Sequence, residues 1–302
     1  MTLKEKMVTR KFLVTAELGP PRSSNGDVIR KKTAHFRQGI DGINITDNQT
    51  AIVRLSSIAA AKIVLEEGLE PIIQMTCRDR NRIAIQSDLL GAASLGIENV
   101  LCLTGDHQKF GDHPESKPVF DIDSTQLIAT VKRLNEGFFL SQEPIKTPPS
   151  FLIGGAANPF AEPFEFRILR LEKKIRAGAQ FIQTQPIFDM AYFQKWMAAV
   201  RQKDLHRQIA ILAGVMPVKS AKALHHMQKE VPGIRIHSQI LERMERAQDP
   251  KEEGIRIALE MIHELKKMEG IRGIHLMPLM WESITPRLLV ESGLDKLIKE
   301  SI

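Results

Sequence analysis

The chain has 302 residues, of which 42 are basic and 36 acidic, giving a formal net charge of +6, and 43% of its residues are hydrophobic. This composition is typical of a globular protein, and no apolar run reaches the roughly 18 residues of a membrane span. The basic residues are not interleaved with aromatic ones, so nucleic acid binding is not expected, and an anionic small ligand or an acidic protein partner is favoured.

Eight short strand-like runs alternate with helical stretches along the chain. They are FLVTAEL from Phe12, GINITD from Gly42, PIIQMT from Pro71, NVLCLTG from Asn99, FLIGGA from Phe151, FIQTQP from Phe181, IAILAGV from Ile209 and GIHLMP from Gly273. Such runs indicate βαβ units on a parallel sheet, and eight of them predict an α/β fold, a closed (β/α)8 TIM barrel. A barrel of this kind typically needs about 250 residues, so we expect a single domain over residues 1–302.

The connections between the runs carry their own signals. Glycines suited to the left-handed end of a helix come shortly before five of the strands: Gly39, Gly68, Gly96, Gly178 and Gly270. The interval after strand 4 is long, with GDHQKFGDHPESKPVFDIDS expected on the catalytic side and SQEPIKTPPS on the opposite rim. The interval after strand 7 is longer still and predicts extra helices at about residues 219–230, 238–247 and 252–268.

Alternation along the strands predicts polar side chains inside the barrel. Residues two apart share a face, so the following pairs are expected to point into the lumen: Thr15 with Glu17, Asn44 with Thr46, Gln74 with Thr76, Cys102 with Thr104, and Gln183 with Gln185. The apolar residues between them, such as Ile43 and Leu101, should pack beneath the outer helices. Barrel lumens are otherwise filled by Val, Ile and Leu, so this pattern favours a ligand site over a self-satisfied hydrogen-bond network.

Two acidic residues near strand ends are candidates for chemistry. Glu17 lies in an apolar strand that Gly19, Pro20 and Pro21 end abruptly. Desolvation disfavours the charged form of an acid, so Glu17 could hold and deliver a proton near neutral pH; the alternative is a carboxylate paired with a lysine or arginine. Asp106 follows Gly105 at the end of strand 4, where its carboxylate could accept hydrogen bonds from a ring N–H or an amino group; the alternative is a turn former.

The helix after strand 5 carries three cations on one face. Arg167, Arg170 and Lys174 are spaced i, i+3 and i+7, and the opposite face is apolar. Three neighbouring cations repel one another unless an anion joins them, so a phosphate is the natural partner, and an ordinary solvated face is the alternative. Neither GxGxxG nor GxxxxGK[ST] occurs, which argues against a Rossmann module and a P-loop.

The N-terminus and the two cysteines bear on the expected cellular location and on whether metal or disulfide sites are expected. Residues 1–11 are charged and lack the apolar segment of a secretory signal, which predicts a cytoplasmic protein. Cys77 and Cys102 do not have the spacing of metal ligands, so neither a metal site nor a disulfide framework is expected.

Six motifs, in colinear order over nearly the whole chain, resemble the methylenetetrahydrofolate reductase family. They are TAELGPP (15–21), NITD (44–47), LTGDH (103–107), GGAANP (154–159), KKIRAGAQFIQTQPIFD (173–189) and GVMPV (214–218). The resemblance implies a flavin-binding (β/α)8 barrel that reduces 5,10-methylenetetrahydrofolate to 5-methyltetrahydrofolate. It also implies a folate as the small-molecule substrate.

The resemblance assigns roles to individual residues. Glu17 matches the general acid that protonates N5 of the pterin, Asp106 matches an aspartate near the flavin that binds the amino-pyrimidine edge, and Gln185 matches a glutamine that contacts folate. Positions that match cofactor contacts are Thr46, Asp47, Gln74, Thr104, Gly105, Asp106, Ala156, Asn158, Arg167, Arg170 and Lys174, the last as a phosphate ligand. FAD is the expected cofactor, with FMN as the alternative.

Departures from the family bear on the electron donor. Where better-known bacterial members have histidine, arginine and tyrosine around the flavin, this chain has Gln74, Thr104 and Asn158. The aromatic residue on which the nicotinamide stacks aligns with Ala221. These differences weaken the expectation of direct NAD(P)H oxidation and favour an electron-donating partner subunit in a hetero-oligomer.

Two other functions remain open from the sequence. One is a pterin-binding methyltransferase barrel that acts on methyltetrahydrofolate without flavin. The other is a non-catalytic subunit that serves as an assembly platform, which the presence of Glu17, Asp106 and Gln185 together disfavours.

Overall fold

The fold is a closed barrel of eight parallel strands, as a computed structural model describes it for residues 1–10, 12–231 and 233–295. Each strand pairs with the next, and the last pairs with the first. The strands are β1 (Leu13–Leu18), β2 (Gly42–Ile45), β3 (Pro71–Thr76), β4 (Asn99–Leu103), β5 (Leu152–Ala157), β6 (Phe181–Pro186), β7 (Ala210–Val215) and β8 (Ile271–Leu276). The predicted (β/α)8 architecture is confirmed. Residues 296–302 of the predicted domain lie outside the described residues.

Helices alternate with the strands and form the outer layer. They are α1 (Leu3–Thr9), α2 (Asp27–Thr33), α3 (Ser57–Glu66), α4 (Arg82–Ser94), α5 (Ser124–Asn135), α6 (Phe164–Ala177), α7 (Met190–Gln202), α8 (Ala221–Glu230), α9 (Ser238–Arg246), α10 (Pro250–Lys267) and α11 (Thr285–Glu291). The three extra helices predicted after strand 7 are α8, α9 and α10. In the described part of the chain, no helix has both the length and the apolar character needed to cross a membrane.

Local sequence explains where several helices begin and end. The Asp123 side chain accepts hydrogen bonds from the first turn of α5, and the Gln126 side chain accepts one from the Asp123 backbone N–H, which completes a capping box. Asp249 caps α10, and Pro250 occupies its first turn. The five glycines predicted to be left-handed have φ values from 74° to 115°, so that prediction is confirmed.

Helix α1 closes the lower end of the barrel, a feature that no sequence pattern predicted. Leu3 is fully buried and packs with the residues that fill the lower lumen. Lys4 donates a hydrogen bond to the Ser150 hydroxyl at 3.1 Å, which places the end of SQEPIKTPPS on this same rim, as expected. The helix is short, and only its contact with the barrel reveals its role.

The barrel wall separates two apolar layers. The lower lumen is filled by Leu13, Ile72, Leu101, Leu152, Phe181 and Leu212. The residues that alternate with them, such as Val14, Ile43 and Ile73, pack outward beneath the helices. Polar side chains occupy the lumen only above this floor, so the polar site lies at the carboxyl ends of the strands, where barrels carry their chemistry.

Strand β4 faces the opposite way from the prediction. Cys102, predicted to point inward, belongs to the outer core, whereas Leu101 and Leu103 pack against the lumen cluster. The register explains the difference, because Leu101 pairs with Gln74, which faces the lumen. The prediction took the last polar residue of each run as inward-facing, but Thr104 lies beyond the end of β4.

Candidate active site

A cavity of about 570 Å³ opens at the carboxyl ends of the strands, and we call it the mouth cavity. Glu17 from β1, Asp106 from the loop after β4 and Gln185 from β6 all line it. The structure thus brings together the three residues that the family resemblance assigned to the folate. Met216 and Met277 add apolar surface to the same cavity.

Glu17 stands above the apolar floor and is held by two amides. Its side chain is 10% exposed. The Gln49 amide donates to Oε1 at 3.3 Å, and the Gln74 amide donates to Oε2 at 3.3 Å. His275 Nε2 lies 3.8 Å from Oε2, and no lysine or arginine in the described residues pairs with this carboxyl group. The alternative of a carboxylate paired with a lysine or arginine is therefore wrong.

A buried polar layer lies directly beneath Glu17. Gln183 donates from Nε2 to Thr15 Oγ1 at 3.1 Å and exchanges hydrogen bonds with the Asn44 amide. The Thr15 hydroxyl also lies 3.0 Å from His275 Nδ1 and 3.5 Å from the Ile274 carbonyl oxygen, to which it can donate. The other ring nitrogen of His275, Nε2, faces Glu17. The alternative to a ligand site, a network of polar side chains that hydrogen-bond one another, is thus present, but only below the mouth cavity.

A second cavity of about 290 Å³, the lateral cavity, lies between the barrel wall and α6. Its lining contains most of the residues predicted to bind a cofactor: Thr104, Ala156, Asn158, Arg167, Arg170 and Lys174. Thr104, Ala156 and Gln185 also line the mouth cavity, so the two cavities adjoin. A ligand with a ring in the mouth cavity and a charged tail in the lateral cavity would fit this arrangement.

Lys174 is a buried cation at the lateral cavity. It is 7% exposed, and its ammonium donates to the Ala156 carbonyl oxygen at 2.5 Å. Burial lowers the pKa of Lys174 to about 8, and the neighbouring Arg170 guanidinium contributes in the same direction. An anion in the lateral cavity would offset both effects, because it would compensate the desolvated charge.

Of the residues predicted to bind a cofactor, one lies outside the lining of both cavities and another already has hydrogen-bond partners. Thr46 is 1% exposed and does not line either cavity, and its hydroxyl has no partner among the described residues. Asp47 lines the mouth cavity, but its carboxylate accepts hydrogen bonds from Arg80 at 2.7 Å and from the Thr76 hydroxyl at 2.9 Å. The remaining predicted residues, Gln74 and Gly105, line the mouth cavity.

The two cysteines are buried thiols. Burial raises the pKa of Cys77 to about 12, and burial also raises the pKa of Cys102. A buried thiol with a raised pKa is a poor nucleophile, because the reactive form is the thiolate. Neither cysteine is a candidate for catalysis.

Sequence reasoning missed three residues of the site. His275 lies in the middle of an apolar strand, which is the signal that identified Glu17, and it could have been singled out in the same way. Arg78 follows β3 by two residues and lines the mouth cavity. Gln49 comes from the loop after β2, and no local pattern distinguishes it.

The fold and these cavities define a (β/α)8 barrel with an acid in its mouth and a cationic cavity beside it. The sequence model of the methylenetetrahydrofolate reductase family matches residues 2–293. The chain belongs to this family.

Individual relatives agree with this assignment. The chain is 27% identical over 248 residues to methylenetetrahydrofolate reductase 2 of Schizosaccharomyces pombe, covering 79% of this chain and 38% of that protein. It is 24% identical over 283 residues to a probable methylenetetrahydrofolate reductase (NADPH) of Caenorhabditis elegans, covering 91% of this chain and 39% of that protein. The chain therefore spans about two fifths of the length of these relatives.

A solved structure shares the fold over its whole length. It is a Clostridium thermocellum protein that binds two copies of 5-methyl-5,6,7,8-tetrahydrofolic acid, with a TM-score of 0.69 and 16% identity. The superposition covers 99% of both chains. At this level of identity the comparison supports the barrel fold alone.

Proposed function

We propose that this chain reduces 5,10-methylenetetrahydrofolate to 5-methyltetrahydrofolate with a bound flavin. The observation that carries the proposal is the meeting of Glu17, Asp106 and Gln185 in one cavity at the carboxyl ends of the strands. Membership of the methylenetetrahydrofolate reductase family supports it. The Clostridium thermocellum protein, which binds the methylated folate on the same fold, is consistent with it.

Each of the three residues has a chemical task in this proposal. Glu17 acts as the general acid in opening the bridging ring. The methylene–N10 bond breaks and the proton is needed at N10 rather than at N5, because N5 must keep its lone pair to form the reactive iminium. Asp106 is exposed at the cavity edge and accepts hydrogen bonds from the amino-pyrimidine edge. Gln185 orients the folate from the opposite wall of the cavity. Gln49 and Gln74 hold the Glu17 carboxyl group at the level of the substrate.

The residues around the cavities fit a flavin. Of the buried polar atoms that lack a partner among the described residues, two belong to residues that line the lateral cavity, Arg167 Nε and Trp196 Nε1. Arg167, Arg170 and Lys174 would hold the phosphate, while Ala156 and Asn158 would lie along the rest of the molecule. When bound, the flavin supplies the hydride. FAD is proposed, and mass determination of the isolated cofactor would distinguish it from FMN.

We further propose that electrons reach this site from a partner subunit. Ala221 occupies the position where a nicotinamide-stacking aromatic is expected, and it lies at the start of α8 with its side chain packed against a small apolar cluster. The nearby lining of the mouth cavity is formed by His226, Met227 and Ile234. None of these presents an aromatic carbocycle on which a nicotinamide could stack.

The two half-reactions of the proposed function can be tested separately with the purified, cofactor-loaded chain. After chemical reduction of the cofactor, mixing with 5,10-methylenetetrahydrofolate should restore the visible absorbance of the oxidised form in a stopped-flow experiment. NADH or NADPH alone should leave the cofactor oxidised, because none of the described residues that line the mouth cavity offers a phenyl or indole ring for stacking. A colourless protein that binds methyltetrahydrofolate would instead indicate the methyltransferase alternative. Rapid reduction of the cofactor by NADH alone would contradict the proposal that a partner subunit delivers the electrons.

Cofactor binding should depend on pH through Lys174. The pKa of Lys174 is lowered to about 8, so its ammonium is charged below that pH and increasingly neutral above it. A phosphate prefers the charged form, so FAD affinity should be highest below pH 8 and fall as the pH rises, by up to about tenfold per unit. Equilibrium dialysis on both sides of pH 8 measures this.

The Lys174→Met variant should bind FAD weakly and with little pH dependence over the same range. Lys173→Met is the matched control, because Lys173 is the adjacent exposed lysine and does not line the lateral cavity. Equal affinities for unaltered protein and the Lys174→Met variant would show that the phosphate lies elsewhere.

A further inference from the structure

Arg78 is a buried cation in the mouth cavity, which the reaction described above does not use. Its side chain is 3% exposed. The guanidinium donates to both carboxylate oxygens of Asp79, from Nε at 2.8 Å and from Nη2 at 2.7 Å. Burial opposes the charge of Arg78, but the Asp79, Asp47 and Asp106 carboxylates outweigh burial, and the pKa of Arg78 lies above its ordinary value.

The same guanidinium bonds the backbone of two other loops. Nη2 donates to the Asn48 carbonyl oxygen at 3.2 Å, in the loop after β2. Nη1 donates to the Asp106 carbonyl oxygen at 3.3 Å, in the loop after β4. Arg78 itself follows β3, so one side chain joins the ends of three consecutive strands. A planar group with five N–H donors is suited to this, and a lysine is not.

Both loops have backbones that need such support. Asn48, Thr50 and Ala51 have positive φ values of 45°, 56° and 56°, a region that side-chain-bearing residues seldom adopt. In the loop after β4, a Cβ at Gly105 would lie 3.1 Å from the Cβ of Arg78, so this loop packs directly on the base of the arginine. Both segments lie outside the strands and α-helices of the barrel.

The two loops carry groups that the proposed reaction needs. Gln49, next to Asn48, donates to Glu17 at 3.3 Å. Asp106 lines the same cavity, where its carboxylate can accept hydrogen bonds from the substrate. We propose that Arg78 is a positioning residue that holds the Gln49 and Asp106 loops in register across the mouth cavity, and so sets the geometry in which folate binds. This inference rests on the proposed folate reduction.

The test compares Arg78→Ala with Arg82→Ala in the cofactor-loaded protein. Arg82 is a matched control because it also makes a two-point contact with an aspartate, Asp121, at 2.8 and 2.9 Å, but it is 54% exposed and does not line the mouth cavity. For Arg78→Ala, the folate concentration that gives half-maximal cofactor oxidation should rise about ten- to a hundredfold. Bound cofactor and melting temperature should remain those of the Arg82→Ala variant.

Chemical rescue separates positioning from a general loss of structure. Guanidinium ion at low millimolar concentration should restore part of the folate affinity of Arg78→Ala and leave Arg82→Ala unchanged. Should the alanine variant be unstable, Arg78→Lys retains the charge but cannot bond both carbonyls and Asp79, and the same rise is expected of it. The inference would be overturned if Arg78→Ala lost its folate affinity together with its bound cofactor and guanidinium did not restore that affinity.

The outcomes also distinguish the two proposals. If the unaltered protein does not oxidise its cofactor with the folate, the proposed function is wrong. If the unaltered protein reacts and the Arg78 variants match Arg82→Ala, only the positioning role of Arg78 is wrong.

Discussion

Replacing Glu17 with glutamine should lower the rate of folate reduction by about a hundred- to ten-thousandfold, the usual contribution of a positioned general acid. Glutamine has nearly the same shape and would keep contact with Gln49 and Gln74, but it cannot deliver a proton. The variant should retain its cofactor, because Glu17 does not line the lateral cavity. Stopped-flow oxidation of the chemically reduced cofactor by 5,10-methylenetetrahydrofolate measures the effect.

A matched control is Glu282→Gln. Glu282 follows β8 on the same end of the barrel and pairs with Lys32 at 2.7 Å, but it lines neither cavity. Its substitution should leave the rate of folate reduction unchanged. A Glu17→Gln variant that reacted as fast as this control would show that another group protonates the folate.

Replacing Phe181 with alanine should cost about 3–5 kcal/mol of unfolding free energy. The ring is fully buried in the lower lumen, and it fills the space that Gly154 leaves open: a Cβ at Gly154 would lie 2.1 Å from the Phe181 Cζ atom. Leu101, Leu152 and Leu212 surround the ring and come from three other strands. Because these strands form a closed barrel, the wall cannot collapse fully into the gap, and a cavity would remain.

Chemical denaturation of the Phe181→Ala variant measures this cost. Phe110→Ala is the control, because the Phe110 side chain is 57% exposed and its removal leaves no buried gap. A loss below about 1 kcal/mol for Phe181→Ala would mean that the lower lumen repacks around the missing ring.

The strands and helices were predictable because each is defined by local pattern. Eight strand-like runs of six or seven residues, separated by helical periods, left little choice of architecture. The same local reasoning failed for β4, where the polar residue Thr104 lies one position beyond the strand. Strand register is a property of neighbouring strands, and the pairing of Leu101 with Gln74 decided which face turned inward.

The candidate site was predictable only in part. Glu17, Asp106 and Gln185 each carried a signal at a strand end, and family resemblance assigned their roles. His275 carried the same signal as Glu17, a polar residue in an apolar strand, but Arg78 acquires significance only from its contacts with the two loops. Those partners lie in separate loops, so no local pattern reveals them.

The order and type of elements, the polar strand ends and the cationic face of α6 are determined by the amino-acid sequence itself, because propensity and periodicity act over a few residues. The tertiary structure alone decided that the mouth and lateral cavities adjoin, that Lys174 is buried and that α1 closes the lower end. Each of these depends on how closed strands and outer helices pack, and burial, charge compensation and cavity shape exist only after the barrel has formed.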